Sequence, residues 1–82
     1  MLKLSIITKD KILYQGDASS VIVPTKMGTI EILPNHIQLV SALATGDLII
    51  KTEKGEQKWK VIGGVLEVRS KSEVIILADR IE

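Results

Sequence analysis

The sequence VIGGVLEVRSKSEVIILAD, residues 61–79, contains the pattern that decides the fold. Two apolar runs, at 65–68 and 73–78, consist largely of Val, Ile and Leu, and polar residues separate them. β-Branched side chains are stiff and suit a pleated sheet, and runs of this length are typical of strands. We therefore predict two short strands joined by a tight turn.

Gly63-Gly64 stands directly before the first of these runs. A phosphate-binding loop would need a following Lys-Ser or Lys-Thr pair and a helix, whereas these glycines precede a strand. The pair is therefore interpreted as structural, and it permits either a β-bulge or a close crossing of two strands.

The same signature continues toward the amino terminus. Turn formers such as Gly16-Asp17, Pro24, Met27-Gly28 and Thr45-Gly46 separate the segments, and no stretch of ten residues has helical spacing. We predict an all-β fold, a flattened β-sandwich or barrel of about eight to ten short strands, formed by residues 1–82 as a single domain. The further predicted strands lie at 2–6, 12–15, 20–23, 29–33, 38–43, 48–52 and 58–62.

The core is predicted to be aliphatic, because Tyr14 and Trp59 are the only aromatic residues and Phe is absent. The 13 Ile, 7 Val and 5 Thr make up 25 of the 82 residues, which again favours sheet. Trp59 alternates with Lys58 and Lys60, so it either packs in the core or is exposed beside a basic stripe, and core packing is favoured. The predicted core residues are Ile22, Ile32, Val40, Ile50, Val61, Leu66 and Ile75.

Charge and residue types argue against several functions. Eleven Lys and Arg against ten Asp and Glu give a formal net charge of +1, far below the basic excess of nucleic-acid-binding domains, so no nucleic-acid partner is predicted. Cys is absent, so neither a disulfide nor a thiolate metal site can form, which is typical of a reducing compartment. No run approaches the roughly 20 apolar residues that span a membrane, so a soluble or peripheral protein is expected.

Few residues of this chain could perform catalysis or bind a metal. His36 is the only histidine, and one imidazole without Cys cannot supply the ligands of a zinc site. No nucleophile motif of the G-x-S-x-G type is present, and the carboxylates have no spacing that would bring two of them together. We therefore predict a non-catalytic binding protein with no cofactor.

Lys54 offers a competing interpretation, because it lies at the predicted hairpin tip Glu53–Glu56. Lipoyl-like carrier domains are flattened β-barrels of similar size that carry a modified lysine at such a tip. An ordinary tight turn accounts for the same four residues and is favoured. A lipoyl-like carrier modified at Lys54 and a generic β-sandwich adaptor remain the alternative hypotheses.

The segment GTIEILPNHIQL, residues 28–39, predicts a rigid corner between two strands. Pro34 fixes φ and Asn35 tolerates left-handed geometry, so together they would hold His36 outward. Two roles for His36 stay open, contact with a partner and the simple end of a turn. Surplus apolar residues are expected to cluster at this end and to form a docking surface: Met27, Leu33 and Ile37.

Several of these segments together resemble the epsilon subunit of rotary (F-type) ATP synthases. That family has a G-I-L-P-x-H-x-P-like corner, a G-G-[IV]-x-E-V stretch and a V-x-V-L-A-D ending, and residues 63–68 and 77–79 match closely. The opening LSIITKDKILYQGDASSVIVPTKMG is also similar to the start of the family, so the resemblance covers essentially the whole chain. Glu31 and Gln38 depart from the family, which usually has Gly and Pro at these positions.

The resemblance implies a central-stalk (rotor) subunit that binds the gamma subunit and the membrane c-ring. Such a subunit couples proton-driven rotation to ATP synthesis without catalysing a reaction. Its implied place is peripheral, at the cytoplasmic face of the bacterial plasma membrane or an equivalent energy-transducing membrane. Carried over by position, the partner-binding residues are Lys26, Met27, Gly28 and Thr29 toward the ring, His36, Ser41 and Thr8 toward gamma, and Glu31 beside the corner.

The family usually continues into a two-helix carboxy-terminal domain on which inhibition of ATP hydrolysis depends. This sequence stops at Glu82, either as a naturally short subunit or as a piece of a longer one. The resemblance therefore implies a chain without the helical inhibitory domain.

Overall fold

Every regular element of the computed structural model, which describes residues 1–82, is a β-strand. The eight strands are β1 (Leu2–Thr8), β2 (Lys11–Ala18), β3 (Ser20–Thr25), β4 (Gly28–Ile32), β5 (Leu39–Ala42), β6 (Gly46–Thr52), β7 (Gly55–Arg69) and β8 (Glu73–Ile81). The all-β prediction is therefore confirmed, with a strand number at the lower end of the predicted range. No helical segment of sufficient length and hydrophobicity to span a bilayer occurs.

The long strand β7 connects two layers of sheet, because its two halves have different neighbours. Residues 55–61 pair with β6, whereas residues 61–69 pair with β8 and residues 65–68 also pair with β5. The first layer contains β5, the second half of β7, β8, β1 and β2, and the second layer contains the first half of β7, β6, β3 and β4. β1 and β8 are parallel, whereas all other pairs are antiparallel.

Gly63 and Gly64 allow β7 to pass from one layer to the other without a break. Both have positive φ, 63° and 125°, a backbone conformation that residues with a Cβ atom rarely adopt. A Cβ atom on Gly64 would overlap the carbonyl oxygen of Leu77 in β8 and lie 2.9 Å from the Cα of Ala78. The register of β7 with β8 continues unchanged across the pair, so the close crossing is correct and the bulge is wrong. The sequence predicted two separate strands at 58–62 and 65–68. This prediction is wrong, because β7 is one continuous strand.

The interior is one cluster of sixteen buried apolar residues drawn from both layers. Alternation selects them in β1, where Leu2, Leu4 and Ile6 are buried, and in β8, where Val74, Ile76 and Ala78 are buried, whereas β3 is buried at five of its six residues. Trp59 packs against this cluster and meets Tyr14 edge to face, with ring centroids 6.4 Å apart. Core packing of Trp59 is therefore confirmed.

Four of the seven predicted core residues are buried, namely Ile32, Ile50, Val61 and Leu66. Ile22 and Ile75 are only partly buried, because their neighbours on each side occupy the inward positions of β3 and β8. Val40 is 71% exposed, because Leu39 and not Val40 packs against the core from β5. The prediction for these three residues is wrong, and in each case the error is one residue in the phase of alternation.

Candidate functional site

The outer surface of the first layer carries an apolar row that crosses five strands. Register places Ala42 opposite Val65, Val65 opposite Leu77, Leu77 opposite Ile7, and Ile7 opposite Ile12. Directly paired residues point to the same side of a sheet, so these five side chains form one continuous strip. Val65, Leu77 and Ile12 are 39%, 45% and 57% exposed, which is high for large aliphatic side chains.

A second row beside it adds two further apolar side chains. Val40 lies opposite Glu67, Glu67 opposite Ile75, and Ile75 opposite Ser5. We call the surface formed by Ile7, Ile12, Val40, Ala42, Val65, Ile75 and Leu77 the apolar face. Glu67 lies between Val40 and Ile75, whereas the five residues of the first row adjoin one another, and an exposed apolar row of this kind is typical of a docking site.

The outer surface of the second layer has the opposite character, and we call it the charged face. Its side chains form ion pairs between strands: Lys51 Nζ of β6 lies 3.7 Å from Glu31 Oε2 of β4, across β3, and Lys58 Nζ of β7 lies 3.6 Å from Asp47 Oδ2 of β6. These groups are exposed, so each pair contributes at most about 1 kcal/mol, but together they keep this face solvated. The two outer surfaces of the sandwich therefore differ, and only the first is suited to burial.

The β3–β4 hairpin, which contains the four residues predicted to face the ring, ends beside one edge of the apolar face. The backbone N–H of Lys26 donates to the carbonyl of Ala42 at 3.0 Å. Met27, the next residue in the loop, is 90% exposed. Gly28, with a φ of 118°, completes the turn, and the structure therefore presents Lys26 and Met27 together at an exposed tip.

The side chain of Thr25 holds this tip in shape. Its hydroxyl donates to the carbonyl of Gly28 and accepts the backbone N–H of Met27 at 3.2 Å. The β6–β7 hairpin repeats the arrangement, since the Thr52 hydroxyl donates to Gly55 at 3.2 Å and accepts from Lys54 at 3.1 Å. The shared T-x-x-G sequence therefore specifies the same turn in both hairpins. Thr25 is buried, whereas Thr52 is more exposed.

Thr25→Val should reduce the free energy of unfolding by about 1–2 kcal/mol, because it removes both hydrogen bonds at a site only 5% exposed. Thr52→Val removes the matching bonds where water can replace them, and it should cost less than about 1 kcal/mol. Urea denaturation of both variants measures the difference. Equal costs would mean that burial of Thr25 does not strengthen the turn.

The structure places His36 at the opposite end of β4 from the hairpin tip. Its backbone N–H donates to Leu33 at 3.1 Å, and its Nδ1 lies 2.7 Å from the carbonyl oxygen of Ile37. The N–H of Asn35, which has a φ of 67°, donates to the Ser72 hydroxyl at 2.9 Å. The corner is therefore tied to the β7–β8 turn.

The predicted docking cluster of Met27, Leu33 and Ile37 does not form. All three side chains are exposed, but the five-residue strand β4 separates Met27 from the other two by about 17 Å. Only Leu33 and Ile37 lie at the Pro34 corner. The clustering prediction is wrong because the corner and the hairpin tip are the two ends of one strand.

The other predicted partner residues are spread over the molecule. Thr8 is the last residue of β1 and follows Ile7. Its hydroxyl lies 3.4 Å from the carbonyl oxygen of Lys11. Ser41 lies in β5 between Val40 and Ala42, but it is half-buried because its position alternates with theirs. Glu31 lies on the charged face, where its carboxylate pairs with Lys51. The structure therefore brings Thr8, Lys26 and Met27 toward one end of the molecule and leaves His36 at the other.

Sequence reasoning missed the apolar face, although the sequence contains a signal for it. Ile6-Ile7, Val65-Leu66 and Ile75-Ile76-Leu77 are consecutive apolar residues within strands. A strand with one solvated face alternates apolar and polar residues, whereas consecutive apolar residues are typical of a strand covered on both faces. The second face of these strands has no cover within this chain.

The His, Asp and Glu side chains are not arranged as a metal site. No group of three or more His, Asp or Glu side chains is arranged to hold a metal ion. Lys54 lies in the exposed two-residue loop of the β6–β7 hairpin, as both the turn and the carrier hypotheses predict. What the arrangement offers is surface for binding.

The comparisons with known proteins agree with one another. The family described as the β-sandwich domain of the ATP synthase delta/epsilon chain matches residues 1–82. The ATP synthase epsilon chain of Leptospira interrogans serovar copenhageni is 46% identical over 81 residues, which cover 95% of this chain and 61% of that protein. The epsilon chain of Alkalihalophilus pseudofirmus is 38% identical over 81 residues and 99% of this chain, and 60% of its own length is matched. The chain thus spans about three fifths of the length of these relatives.

Two solved structures share the fold. One chain in the structure titled Euglena gracilis mitochondrial ATP synthase, OSCP/F1/c-ring, superposes with a TM-score of 0.92 at 23% identity, over 99% of this chain and 52% of that one. One chain in the Tetrahymena thermophila mitochondrial ATP synthase central stalk and c-ring superposes with a TM-score of 0.85 at 16% identity, over 99% and 65%. At these identities the likeness establishes the β-sandwich alone.

Proposed function

We propose a rotor function from one premise, that the chain belongs to the family of ATP synthase delta/epsilon β-sandwich domains. In this function the chain is part of the central stalk of a proton-translocating ATP synthase. It links the gamma subunit to the membrane c-ring and couples rotation to ATP synthesis without catalysing either reaction. It is then peripheral to an energy-transducing membrane, and in a bacterium it lies at the cytoplasmic face.

The apolar face is the observation that supports this proposal most directly. Val40 and Ile12 would remain 71% and 57% exposed in an isolated domain, beside five further apolar side chains. Burial of apolar surface stabilises a complex by roughly 25 cal/mol per Å², so such a face favours a permanent partner. We assign the apolar face to the gamma subunit.

The β3–β4 hairpin tip is assigned to the ring. Lys26 and Met27 project beyond the edge of the apolar face, so one end of the sandwich can meet the ring while its side contacts gamma. Gly28 and Thr29 follow the tip and share this role. We also assign His36, Ser41 and Thr8 to gamma: Ser41 lies between Val40 and Ala42 in β5, and Thr8 follows Ile7 in β1.

A rigid sandwich suits the transmission of torque. β7 runs through both layers, and the buried cluster joins them over the whole length of the domain. Protein interiors are packed as densely as organic crystals, so a load applied at the tip is transmitted to the apolar face with little deformation. No moving part of the chain is required.

The carrier function is the second candidate, and the exposure of Lys54 at a two-residue hairpin tip favours it. The family match over residues 1–82 favours the rotor function instead. Intact-mass measurement after coexpression with a lipoyl or biotinyl ligase distinguishes the two candidates. An adduct on Lys54 would support the carrier, and an unmodified mass supports the rotor.

The rotor function is tested by mixing the purified chain with the gamma subunit from the same organism and with the detergent-solubilised c-ring. We expect the chain to elute with gamma and the ring in size-exclusion chromatography, and calorimetry should give a saturable affinity for gamma. The purified chain alone should not hydrolyse ATP. Failure of the folded chain to bind gamma and the ring would contradict the proposed function.

A further inference from the structure

A groove of about 550 Å³ opens at the edge of the apolar face beside Gly64. The exposed side chains of Val65 and Leu77 line it together with Ile7, whereas the methyl group of Ala78 belongs to the buried core. The eight lining residues are Ile7, Thr8, Lys9, Gly64, Val65, Leu77, Ala78 and Asp79. The groove is therefore continuous with the face assigned to gamma, because Ile7, Val65 and Leu77 belong to both.

The rim of the groove includes a carboxylate that the chain itself leaves without a cationic partner. None of the five ion pairs of the structure involves Asp79 or its neighbour across the rim, Lys9. Asp79 Oδ2 lies over the backbone of Gly63, where an added Cβ atom would be only 2.7 Å away. The absence of a side chain at Gly63 thus leaves room for the carboxylate, which lines the same groove as Val65 and Leu77.

A groove with exposed apolar side chains and a carboxylate beside them fits an aromatic side chain that carries a hydrogen-bond donor. Tyr and Trp have an apolar body and a single O–H or N–H, which they direct to a partner when buried. These residues, with Arg, are also the commonest anchors of protein interfaces, and they occupy well-packed pockets. This chain has only Tyr14 and Trp59, which pack against each other, so such an anchor has to come from the partner.

We propose that this groove is the anchor site of the interface and that it receives one tyrosine or tryptophan side chain of the gamma subunit, whose donor binds the Asp79 carboxylate. This inference rests on the proposed rotor function. The ring of the aromatic side chain covers Val65 and Leu77, and the remaining apolar face packs around it. Lys9 closes the other side of the groove through its aliphatic stem.

Two variants test the groove in the binding measurement with the gamma subunit. Val65→Trp fills the groove from within and should weaken affinity at least about tenfold. Asp79→Leu removes the acceptor and should weaken it by about tenfold as well. Truncating the anchoring aromatic residue of gamma to Ala should weaken binding to the wild-type chain and restore binding to Val65→Trp, because the two rings compete for one space.

Matched controls lie on the charged face. Ile49→Trp and Asp47→Leu make the same changes where no groove exists, and both should bind gamma within about twofold of the wild type. Thermal unfolding of all four variants verifies that each is folded before its affinity is compared.

The outcomes separate this inference from the rotor function. If the wild type binds gamma and both groove variants bind equally well, the groove is not the anchor, although the rotor function stands. If Val65→Trp weakens binding but Asp79→Leu does not, the groove is occupied but the donor to Asp79 is wrong. If the folded wild type does not bind gamma, both the rotor function and the anchor are wrong.

Discussion

Gly64→Ala should unfold a large part of the protein at room temperature, with a loss of about 3–6 kcal/mol in the free energy of unfolding. The new Cβ atom would overlap the carbonyl oxygen of Leu77, which belongs to the backbone of β8 and cannot rotate away. Alanine is also strained at a φ of 125°. A domain of this size has roughly 0.05–0.15 kcal/mol of stability per residue, so the loss approaches the whole.

Gly55→Ala is the matched control, because Gly55 has nearly the same φ, 123°, but no atom lies within 4 Å of its added Cβ. It should cost only the backbone strain, about 1–3 kcal/mol. Chemical denaturation, with circular dichroism as the signal, measures both variants. Similar costs for the two would mean that β7 and β8 can separate at Gly64, and that their close approach is not required for the fold.

Val40→Asp should reduce the affinity for the gamma subunit by at least about 100-fold, which corresponds to roughly 2.8 kcal/mol. Val40 is 71% exposed in the free chain and becomes covered when the apolar face is buried. A carboxylate moved into that contact loses its water without gaining a cation, and an uncompensated buried charge is strongly destabilising. The melting temperature should fall only slightly, because Val40 is exposed, although the new carboxylate lies opposite Glu67 in the register.

Ile49→Asp places the same charge on the charged face, where Lys58 lies opposite it in the register. This variant should bind gamma as the wild type does. Affinity measured by calorimetry and melting temperature measured by scanning fluorimetry together separate binding from folding. Unchanged affinity in Val40→Asp would show that the apolar face is not the gamma surface.

The wrong core predictions have one cause, which is the presence of apolar residues at both phases of a strand. In β8, Val74 and Ile76 face the interior whereas Ile75 and Leu77 face outward, although all four are large and aliphatic. Hydrophobicity alone cannot select between two such phases, because a shift of one residue exchanges the faces. Pairing with β7 and β1 selects the phase, and it depends on residues distant in sequence.

The candidate site also has one part that local sequence specifies and one part that depends on strand pairing. The exposed tip at Lys26 and Met27 follows from local turn chemistry, since Thr25 and Gly28 specify it within four residues. The apolar face requires β5, β7, β8, β1 and β2 to lie side by side, so no local stretch contains it. The signal for this face in the sequence is the occurrence of consecutive apolar residues in β1, β7 and β8.

The sequence by itself indicated the all-β class, turns at Met27–Gly28 and Glu53–Glu56, and a structural role for Gly63 and Gly64. These features depend on local properties: β-branched side chains, hydroxyl caps and glycines that permit positive φ. Only the tertiary structure decided which aliphatic residues are buried, that β7 belongs to both layers, and that Met27 and the Pro34 corner lie at opposite ends. Those features depend on strand register. Register is set by pairing between segments that are distant in sequence, so no single segment determines it.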